Sequence, residues 1–572
     1  MPLPPISPAI EGMVPYKVPR HPAPLDLLLD GIGGLAAPVD LFAGLADADP
    51  ETLVRGYPDT SELAAILAAR LGVTPDRVLV TAGGDDALDR ACRAFLAPGR
   101  SIVLPVPTFE MIPRYARWAG ATVREVPWPG GDWPLEAVLA AVTADTTMVA
   151  LVSPNNPTGQ VATADMLRRL GAAVPDVLLL VDLAYVEFAD EDLTDVVKDL
   201  PNAIAFRTLS KAYGLAGLRV GYAMGSADAI AALRVAGHPY PVAGPSLHLA
   251  RRRLEDPSET SAAFVAHVRV ERDALTAAMT ALGLAAQRSQ ANFVFARTPR
   301  ADWLRDGLAG LGIGVRVWPG HPSLGDAVRI NVPGVPAEVE RLHHALRAVL
   351  APEALLLDVD GVLVDVSRSY RAAIRETAAH FGVDVSAEDI AAMKARGNAN
   401  NDWVLTQALL AARGVEIPLA DIVATFERFY QGDATTPGLK HTERALITRE
   451  SLSRLRARYP LALVTGRPQH DAMELVEREG WSGLFDAAVV MGETPPKPDP
   501  APVHAALSRL GVRTAWMLGD TVDDIRAARA AGVVPLGVVP PGEDPARVGP
   551  LLLAAGAARV LPSVADLEAL LP

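Results

Sequence analysis

The sequence predicts an α/β protein. Three observations support this class: short apolar runs alternate with helical runs along nearly the whole chain, most of the apolar runs end in small or turn-forming residues, and the pattern restarts near residue 352. A length of 572 residues, of which 50% are hydrophobic and 21% charged, allows several cores and excludes global disorder.

The composition also narrows the compartment and the partners. Cys92 is the one cysteine of the chain, so an intramolecular disulfide and a multi-cysteine metal site are excluded, and a reducing, cytoplasmic compartment is the simpler expectation. The net charge of −14 argues against a general nucleic-acid partner. The apolar runs are far shorter than the roughly 20 residues that cross a bilayer, so no membrane partner is expected.

The first half has the pattern of a buried, mostly parallel sheet. Near-continuous apolar runs indicate strands covered on both faces, and ligand sites in such sheets gather at the carboxyl ends of the strands. The runs expected to be strands are RVLVTAG, SIVLPVP, TTMVALVSP, VLLLVDLAY and NAIAFRTLS. DDALDRACRAFL and TADMLRRLGAAV are expected to be helices, and the proline-rich N-terminus is expected to be an extended arm.

The second half begins after the predicted helix PAEVERLHHALRAVL. A new strand, ALLLDVDGVLV, is followed by a helical stretch and then by a second alternating series from PLALVTG to the C-terminus. We therefore expect domains at residues 1–351 and 353–572, with a helical insert at about residues 367–455.

The most informative segment of the first half is TLSKAYGLAGLRVG, Thr208–Gly221. Lys211 follows the hydroxyl residues Thr208 and Ser210, and Arg219 comes eight residues later. An amine beside hydroxyl donors and a bidentate cation suits a Schiff base to a phosphorylated aldehyde. A solvated turn is the alternative for this segment by itself.

Other predicted strand ends supply matching groups. Asp182 precedes the lysine by 29 residues and can pair with a protonated pyridine nitrogen, and Asn156 can donate to a phenolic oxygen. TAGGDDALDRA places a glycine-rich turn at a helix N-terminus, which favours phosphate, and Phe109 is a candidate stacking platform. Each residue also fits a structural role, but their combination favours a cofactor site.

These residues resemble the fold-type I aminotransferases that use pyridoxal phosphate, and within them the histidinol-phosphate aminotransferase group. The resemblance covers about residues 14–350 and implies a large and a small α/β domain, with Lys211 as the Schiff-base lysine and Asp182 as the pyridinium partner. The other cofactor contacts expected on this basis are Gly84, Asp85, Phe109, Asn156, Tyr185, Thr208, Ser210 and Arg219.

The resemblance also bears on partner and substrate. Tyr57 matches a tyrosine that reaches the cofactor phosphate of the neighbouring subunit, which implies a homodimer. Arg316 and Arg329 match arginines that hold anionic groups of the substrate. The chain departs from the group at residues 30–34, where Asp-Gly-Ile-Gly-Gly replaces an Asn-Glu-Asn stretch, and at Leu183, where an acidic residue is usual. A lyase similar to phosphothreonine decarboxylase therefore stays open.

The second half carries a different chemistry. In LLLDVDGVLVD, Asp358 and Asp360 end an apolar strand two residues apart, so one carboxylate can attack phosphorus while the other protonates the leaving oxygen. An all-oxygen site of this kind suits Mg²⁺. Thr465 and Lys497 are donors for a phosphoryl group, and Asp520 follows a further strand.

The order of these motifs resembles the haloacid dehalogenase superfamily over the C-terminal 220 residues. The resemblance implies a Rossmann-like core with a helical cap, Asp358 as nucleophile, Asp360 as acid and base, and Thr465 and Lys497 as phosphate binders. The expected metal ligands are Asp358, Asp360, Asp520 and Asp524, the last favoured over Asp523 by spacing. The loop ARGNANNDWVL is either a substrate-reading loop or a helix N-terminus capped by Asn or Asp.

The leading hypothesis is a bifunctional enzyme that transfers an amino group to give histidinol phosphate and then hydrolyses that phosphomonoester. The alternative is another aminotransferase, or a pyridoxal phosphate lyase, joined to a hydrolase similar to phosphoglycolate phosphatases. A regulatory, non-enzymatic second half is disfavoured because all its expected acid–base residues are present.

Overall fold

The structure is a computed structural model that describes residues 6–31, 41–46, 48, 49, 51–255, 260–394, 397 and 401–572. By its packing the chain divides into two compact units. The first comprises Met1–Pro19, Leu29–Ala301 and Val315–Val339; the second comprises Arg20–Leu28, Asp302–Gly314 and Glu340–Pro572.

Three segments that precede residue 351 thus pack with the C-terminal half in the second unit. Trp516 illustrates the reason: its indole nitrogen donates to the carbonyl of Ala348 at 2.8 Å, and its ring centroid lies 4.6 Å from that of Trp303. The Nε of Arg559 also donates to Asp306 Oδ2 at 2.6 Å. The domain boundary near residue 352 follows chain order and stays a prediction.

Strands β1–β12 belong to the sequence before residue 332. They are β1 Leu27–Leu29, β2 Val78–Thr81, β3 Ser101–Val106, β4 Thr122–Pro127, β5 Thr146–Val152, β6 Leu178–Asp182, β7 Ala203–Thr208, β8 Gly221–Met224, β9 Ala285–Ala286, β10 Phe293–Arg297, β11 Ile313–Val317 and β12 Ala327–Asn331. The five runs expected to be strands form β2, β3, β5, β6 and β7, which confirms those predictions.

A seven-stranded sheet has the order β2-β8-β7-β6-β5-β3-β4, and β8 runs antiparallel to its neighbours while the other pairs are parallel. Alternate residues of β6 enter two separate apolar cores, with Leu179 and Val181 in one and Leu178 and Leu180 in the other. Burial on both faces explains the near-continuous apolar runs. A five-stranded sheet has the order β1-β11-β12-β10-β9.

The helices of this part of the chain cover the sheets or connect their strands. They are α1 Ser61–Leu71, α2 Gly83–Phe95, α3 Met111–Trp118, α4 Leu135–Ala141, α5 Ala164–Ala173, α6 Thr194–Asp199, α7 Ala227–Val235, α8 Gly244–Glu255, α9 Thr260–Ala281, α10 Ala301–Gly310 and α11 Pro336–Leu350. Helices α2, α5 and α11 occupy the segments expected to be helical. Thr163 begins α5 by accepting a hydrogen bond from the backbone of Met166.

The C-terminal part contains a six-stranded sheet and a two-stranded ribbon. Their strands are β13 Ala354–Leu357, β14 Val364–Asp365, β15 Arg444–Ala445, β16 Leu461–Val464, β17 Ala487–Val489, β18 Ala515–Gly519, β19 Val534–Val538 and β20 Arg559–Leu561. The sheet is parallel with the order β17-β16-β13-β18-β19-β20, so β13 lies between β16 and β18. This is the predicted Rossmann-like core.

Helices α12–α21 complete this part. They are α12 Tyr370–His380, α13 Ala387–Lys394, α14 Asp402–Ala411, α15 Leu419–Gln431, α16 Arg449–Arg458, α17 Gln469–Arg478, α18 Ala501–Leu510, α19 Val522–Ala530, α20 Pro545–Ala555 and α21 Leu567–Leu570. Helices α12–α15 form an insert that the chain enters after β14 and leaves before β15, and these two strands pair in antiparallel orientation. No helix among the described residues combines the length and the apolar character that a membrane crossing needs.

Candidate active sites

A cavity of about 570 Å³ lies at the carboxyl ends of the central strands of the seven-stranded sheet. Chain segments that follow β3, β5, β6 and β7 line it together with the N-terminus of α2. The predicted site residues among its walls are Gly84, Asp85, Phe109, Asn156, Asp182, Tyr185, Thr208, Ser210, Lys211, Arg219, Arg316 and Arg329. Strand ends far apart in the sequence meet here because parallel strands end at the same edge of a sheet.

One wall of the cavity is a group of donors beside the first turn of α2. The Thr208 hydroxyl donates to Ser210 Oγ at 2.8 Å, and Arg219 Nη2 donates to Asp85 Oδ2 at 3.1 Å. Gly83 has a φ of +77°, and a Cβ there would lie 2.7 Å from Arg219 Nη2, so glycine is needed for the guanidinium to approach. A Cβ on Gly84 would meet no atom within 4 Å, which leaves room at the helix N-terminus.

The floor of the cavity carries Asp182 and Lys211. Asp182 is the last residue of β6, and burial raises the pKa of its carboxyl to about 6, although the backbone amide of Ala184 donates to it. Lys211 Nζ lies 5.3 Å from the centroid of the Tyr185 ring. A buried carboxylate with this pKa is poised to accept a cationic partner.

Arg329 is buried, and both of its terminal nitrogens already donate hydrogen bonds. Its Nη1 donates to Asn156 Oδ1 at 2.6 Å, and its Nη2 donates to the carbonyl of Asp30 at 2.7 Å. Its guanidinium also lies 5.0 Å from the centroid of the Phe293 ring, and burial lowers its pKa from the ordinary value. The bond to Asn156 uses the amide oxygen, so the amide nitrogen remains as a donor.

Arg316 lies among groups that the sequence analysis did not assign. Its Nη2 donates to Glu110 Oε1 at 2.8 Å, and its guanidinium is 5.9 Å from the Tyr16 ring centroid and 5.3 Å from that of Trp318. Its Nη1 is buried without a hydrogen-bond partner among the described residues. Burial, followed by the Glu110 carboxylate, raises the pKa of Tyr16.

Tyr57 is not brought to this cavity. Tyr57 is 82% exposed, and its ring stacks on that of Tyr240 with a centroid distance of 4.6 Å. Sequence reasoning missed Tyr16, Glu110 and Trp318 as residues of this cavity. A local signal was available for the last two. Glu110 follows the predicted Phe109. Trp318 lies two residues after the predicted Arg316, directly after the end of β11, and residues two apart in extended chain face the same side.

The second site is a compact group of carboxylates at the ends of β13 and β18. Ligand atoms of Asp358, Asp520 and Asp524 lie within 4.8 Å of one another. Lys497 Nζ donates to Asp358 Oδ1 at 2.9 Å, to the carbonyl of Val464 at 3.0 Å, and forms an ion pair with Asp524. The structure therefore brings together three of the four predicted metal ligands, and Lys497 contacts two of these three.

The charges of this group are incompletely balanced. Burial, reinforced by Asp524 and Asp520, raises the pKa of Asp358 well above its usual range in spite of Lys497. Burial and Asp524 likewise raise the pKa of Asp520 to about 7. Burial by itself would lower the pKa of Lys497, but the two carboxylates it contacts outweigh that effect and raise it. Such a group favours an additional cation.

The fourth predicted ligand, Asp360, has a different partner. Arg467 Nε donates to Asp360 Oδ1 at 2.7 Å, and the carboxylate of Asp360 is not in the three-aspartate group. Thr465 lies directly after β16, and its hydroxyl oxygen accepts from the backbone of Arg467 at 3.2 Å. Arg467 was not among the predicted site residues, although it follows the predicted Thr465 by two positions.

The residue after Asp360 has to be glycine because the Asp520 carboxylate lies too close for a side chain. Gly361 has a φ of +77°, and a Cβ there would lie 2.3 Å from Asp520 Oδ2. Asp524 is the third residue of α19 and forms a capping box with Thr521, the N-cap residue of that helix. The carboxylate of Asp524 belongs to the three-aspartate group, whereas that of its neighbour Asp523 does not.

The helical insert contributes cations beside Asp520. Arg371 and Lys394 line a small cavity with Asp520, and Lys394 Nζ lies 3.2 Å from Asp402 Oδ1. In the loop ARGNANNDWVL, Asn401 accepts from the backbone amides of Trp403 and Val404 and so begins α14, as the capped-helix alternative predicts. Arg396 and Asn400 lie outside the described residues.

Two family models match this chain. Residues 45–348 match the model described as aminotransferase class I and II, and residues 352–532 match the model described as haloacid dehalogenase-like hydrolase. Together the two matches contain all the predicted residues of both candidate sites, whereas Tyr16 and Asp30 of the first cavity precede the first match.

Curated relatives match different lengths of the chain. A histidinol-phosphate aminotransferase of Stenotrophomonas maltophilia is 35% identical over 356 residues, which are 60% of this chain and 96% of that protein. A protein named imidazoleglycerol-phosphate dehydratase, from Phytophthora nicotianae, is 44% identical over 237 residues, which are 38% of this chain and 52% of that protein. The chain thus spans about half the length of the Phytophthora relative.

Solved structures share the fold of the first part. Histidinol-phosphate aminotransferase from Sinorhizobium meliloti, in complex with pyridoxal-5′-phosphate, has a TM-score of 0.53 and 24% identity over 60% of this chain and 97% of that one. Aspartate aminotransferase from Thermus thermophilus with maleate has a TM-score of 0.51 and 25% identity over 60% of this chain and 98% of that one.

Proposed function

We propose that the protein is a bifunctional enzyme. The premise is that the chain belongs to the class I and II aminotransferases and that a haloacid dehalogenase-like hydrolase follows the aminotransferase part in the sequence. The first site exchanges an amino group between histidinol phosphate and the glutamate/2-oxoglutarate pair. The second site hydrolyses a phosphomonoester, histidinol phosphate itself, with Mg²⁺. The observation that carries the proposal is that one chain holds both the Lys211–Asp182 cavity and the three-aspartate group.

The first cavity fits pyridoxal phosphate. Thr208, Ser210 and Arg219, with the open N-terminus of α2 at Gly84, form an anion-binding wall. The buried Asp182 carboxylate suits a protonated ring nitrogen, and the volume of about 570 Å³ leaves space for a substrate beside the cofactor. When bound, pyridoxal phosphate supplies an electron sink for the bond that breaks at the substrate carbon.

The residues of the chain then have separable tasks. Lys211 is the amine that holds the cofactor between turnovers and moves the proton at the substrate α-carbon. The Asp182 carboxylate would stabilise the positive charge of a protonated ring nitrogen, and Tyr185 lies beside the Lys211 amine. Arg329 offers a rigid fork to a substrate carboxylate, because its present partners, Asn156 and the Asp30 carbonyl, already orient it.

Arg316 is the second anion contact of the proposal. Its Nη1 has no hydrogen-bond partner among the described residues, whereas its Nη2 is held by Glu110. A phosphate or a second carboxylate of the substrate would satisfy the open donor. The pairing with Glu110 keeps the cavity from carrying an isolated buried charge in the absence of substrate.

The exposed position of Tyr57 supports a homodimer. A tyrosine that is 82% exposed and stacked on Tyr240 has no function inside its own cavity. In a dimer of the proposed kind it reaches the cofactor phosphate bound by the other subunit.

The second site fits Mg²⁺. The carboxylates of Asp358, Asp520 and Asp524, of which the first and last are buried and that of Asp520 is half-buried, lie within 4.8 Å and form the all-oxygen set that this ion prefers. The raised pKa values of Asp358 and Asp520 support a cation at this position, because a cation stabilises the charged form of a carboxyl. Bound there, the ion offsets charge on the phosphoryl oxygens.

The hydrolytic steps follow from the side chains. An Asp358 oxygen attacks phosphorus and the ester bond breaks, while Asp360 gives its proton to the leaving oxygen. Thr465 and Lys497 hold the phosphoryl oxygens. Asp360 then takes a proton from water, the water oxygen attacks phosphorus, and phosphate and the Asp358 carboxylate are released.

The test is one incubation of the purified chain with imidazole-acetol phosphate, glutamate and Mg²⁺, in which 2-oxoglutarate and free phosphate are followed together. We expect 2-oxoglutarate first and phosphate after a lag. Omission of glutamate should suppress both products. Immediate phosphate release without glutamate would break the sequential assignment, and release of CO₂ from a phosphorylated amino acid would favour a lyase instead.

A further inference from the structure

Arg467 connects the predicted acid of the second site to the helical insert. It follows Thr465 and Gly466 at the end of β16 and is only 2% exposed. Its Nε donates to Asp360 Oδ1 at 2.7 Å. Its Nη2 donates to Glu443 Oε1 at 2.9 Å, so one guanidinium joins two carboxylates.

Glu443 lies where the chain leaves the insert. It directly precedes β15, and its side chain is fully buried. It also accepts from the hydroxyl of Ser369, which begins the insert at α12, at 3.0 Å, and from the hydroxyl of Tyr430, in α15, at 3.1 Å. Both crossings between the core and the insert therefore converge on this carboxylate.

The rigid geometry of the guanidinium gives the connection its effect. Arg467 lies over the Tyr370 ring, with its Cζ 4.9 Å from the ring centroid, so packing fixes the plane of its donors. A bond to one carboxylate oxygen of Asp360 restricts the rotation of that side chain and leaves its other oxygen for the leaving group.

We propose that Arg467 is a positioning residue for proton transfer: through its bridge to Glu443 it sets the orientation of Asp360 relative to the helical insert. The inference rests on the phosphomonoesterase activity proposed above. Arg467 itself touches neither the three-aspartate group nor the attacking oxygen, so its contribution appears only in steps that use Asp360.

The dependence on the leaving group separates positioning from a structural role. An alkyl ester needs a proton on its leaving oxygen, whereas p-nitrophenyl phosphate releases a stable phenolate and needs little acid assistance. The ratio kcat/KM reports steps up to the first phosphoryl transfer, so it isolates the acid function of Asp360 from its later function as a base.

The experiment compares Arg467→Lys with the wild-type chain on both esters in Mg²⁺. Lysine keeps the charge but loses the fork that joins two carboxylates. We expect kcat/KM to fall about 100-fold for the alkyl ester and about threefold or less for p-nitrophenyl phosphate. An equal loss on both esters would show a structural role and overturn the proposal.

Two further variants keep the test decisive. In an Asp360→Asn background, Arg467→Lys should add no further leaving-group-dependent loss, and an additive loss would contradict the positioning role. If Arg467→Lys does not fold, Glu443→Gln decides: it keeps Arg467 and Asp360 but weakens the bridge, and about a tenfold loss confined to the alkyl ester is expected. A loss shared by both esters would overturn the proposal.

Arg478 provides the matched control. Its Nη2 donates to Glu443 Oε2 at 2.6 Å, but its hydrogen bonds do not include Asp360. Arg478→Lys should lower the melting temperature while the ratio between the two esters stays at the wild-type value, and a changed ratio would overturn the assignment. A wild-type chain that hydrolyses neither ester would instead remove the proposed function, together with this inference.

Discussion

The two candidate sites differ in how they hold charge. In the cavity of the first unit, Arg219 and Arg316 each contact a carboxylate, Asp85 or Glu110, and Arg329 contacts an amide and a carbonyl. In the second site, three carboxylates lie within 4.8 Å, and two of them contact a single lysine.

This difference indicates what each site is built to receive. Arginines that neighbouring groups already hold in place, around a cavity of about 570 Å³, suit a sizeable organic anion that binds to their remaining donors. A small group of carboxylates with raised pKa values suits a point charge. The first site is therefore suited to its ligand by the placement of its donors, and the second by its excess of negative charge.

Lys211→Ala should produce the largest change. Loss of the only proposed amine should lower amino transfer about 10⁴-fold or more, because no other group replaces the nucleophile. The measurement is glutamate-dependent formation of 2-oxoglutarate. Lys211→Arg is the matched variant, since it keeps the charge without a nucleophilic amine and should be equally inactive. Full activity of either variant would contradict the assignment, and hydrolysis of p-nitrophenyl phosphate should continue in both.

Asp358→Asn should have the converse effect and abolish phosphate release while amino transfer is retained. The amide is not a competent nucleophile and also removes a charge from the metal site, so phosphate release should fall about 10³-fold or more while amino transfer continues. Asp365→Asn is the control, because that carboxylate accepts from the backbone of Ser367 and lies outside the three-aspartate group. Comparable losses in the two variants would show that the effect is not local.

The pH dependence of stability tests the floor of the first cavity. Burial raises the pKa of Asp182 from its ordinary value of 3.8 to about 6 in the folded chain, so the folded state binds more protons than the unfolded state between these two pH values. The contribution of Asp182 to the free energy of unfolding therefore falls as pH rises from about 4 to about 6, by up to about 3 kcal/mol. Asp182→Asn lacks this titration.

Denaturant unfolding of the cofactor-free chain measures this effect. The wild type should lose free energy of unfolding relative to Asp182→Asn as pH rises, and the difference isolates Asp182 because the other groups titrate in both chains. Parallel pH profiles of the two chains would show that the carboxyl is not buried as described.

Mg²⁺ should stabilise the chain through the second site. At a concentration of 100 times the dissociation constant, binding to the folded state adds about 2.7 kcal/mol. Thermal unfolding should therefore shift upward with MgCl₂ in the wild type but much less in Asp520→Asn, with NaCl of equal ionic strength as the control. An equal shift in both chains would place the ion elsewhere.

Arg329→Lys should have the smallest effect of the series. The charge remains but the fork is lost, so kcat/KM for amino transfer should fall about ten- to a hundredfold. Arg297→Lys, in the same sheet, changes a partly exposed ion pair with Asp326 and should change kcat/KM little. Similar losses in the two variants would mean that Arg329 acts through the sheet rather than through substrate.

Much of the fold was predictable from local pattern. The five expected strands form because long apolar runs are stable only when both faces of a strand are covered, as in β6. Placement of Asp182, Lys211 and Asp358 at strand ends was also predictable, because a polar residue that ends an apolar run marks the edge of the sheet.

The partners of the functional groups were not predictable in this way. The contacts of Arg316 with Glu110 and of Arg467 with Glu443 join residues 206 and 24 positions apart. The same holds for the packing of Trp303 with Trp516. Sequence periodicity reports which face of an element is buried, but not which other element covers it.

The sequence by itself determined the α/β class and the order of the two catalytic modules, and it supplied the site residues that are predicted for each of them. Tertiary structure alone decided which carboxylates form the three-aspartate group, that Arg467 holds Asp360, and that Arg316 meets Glu110. The physical reason is that strand and helix formation depends on neighbours in the chain, whereas charge pairing depends on distances that exist only once the core has packed.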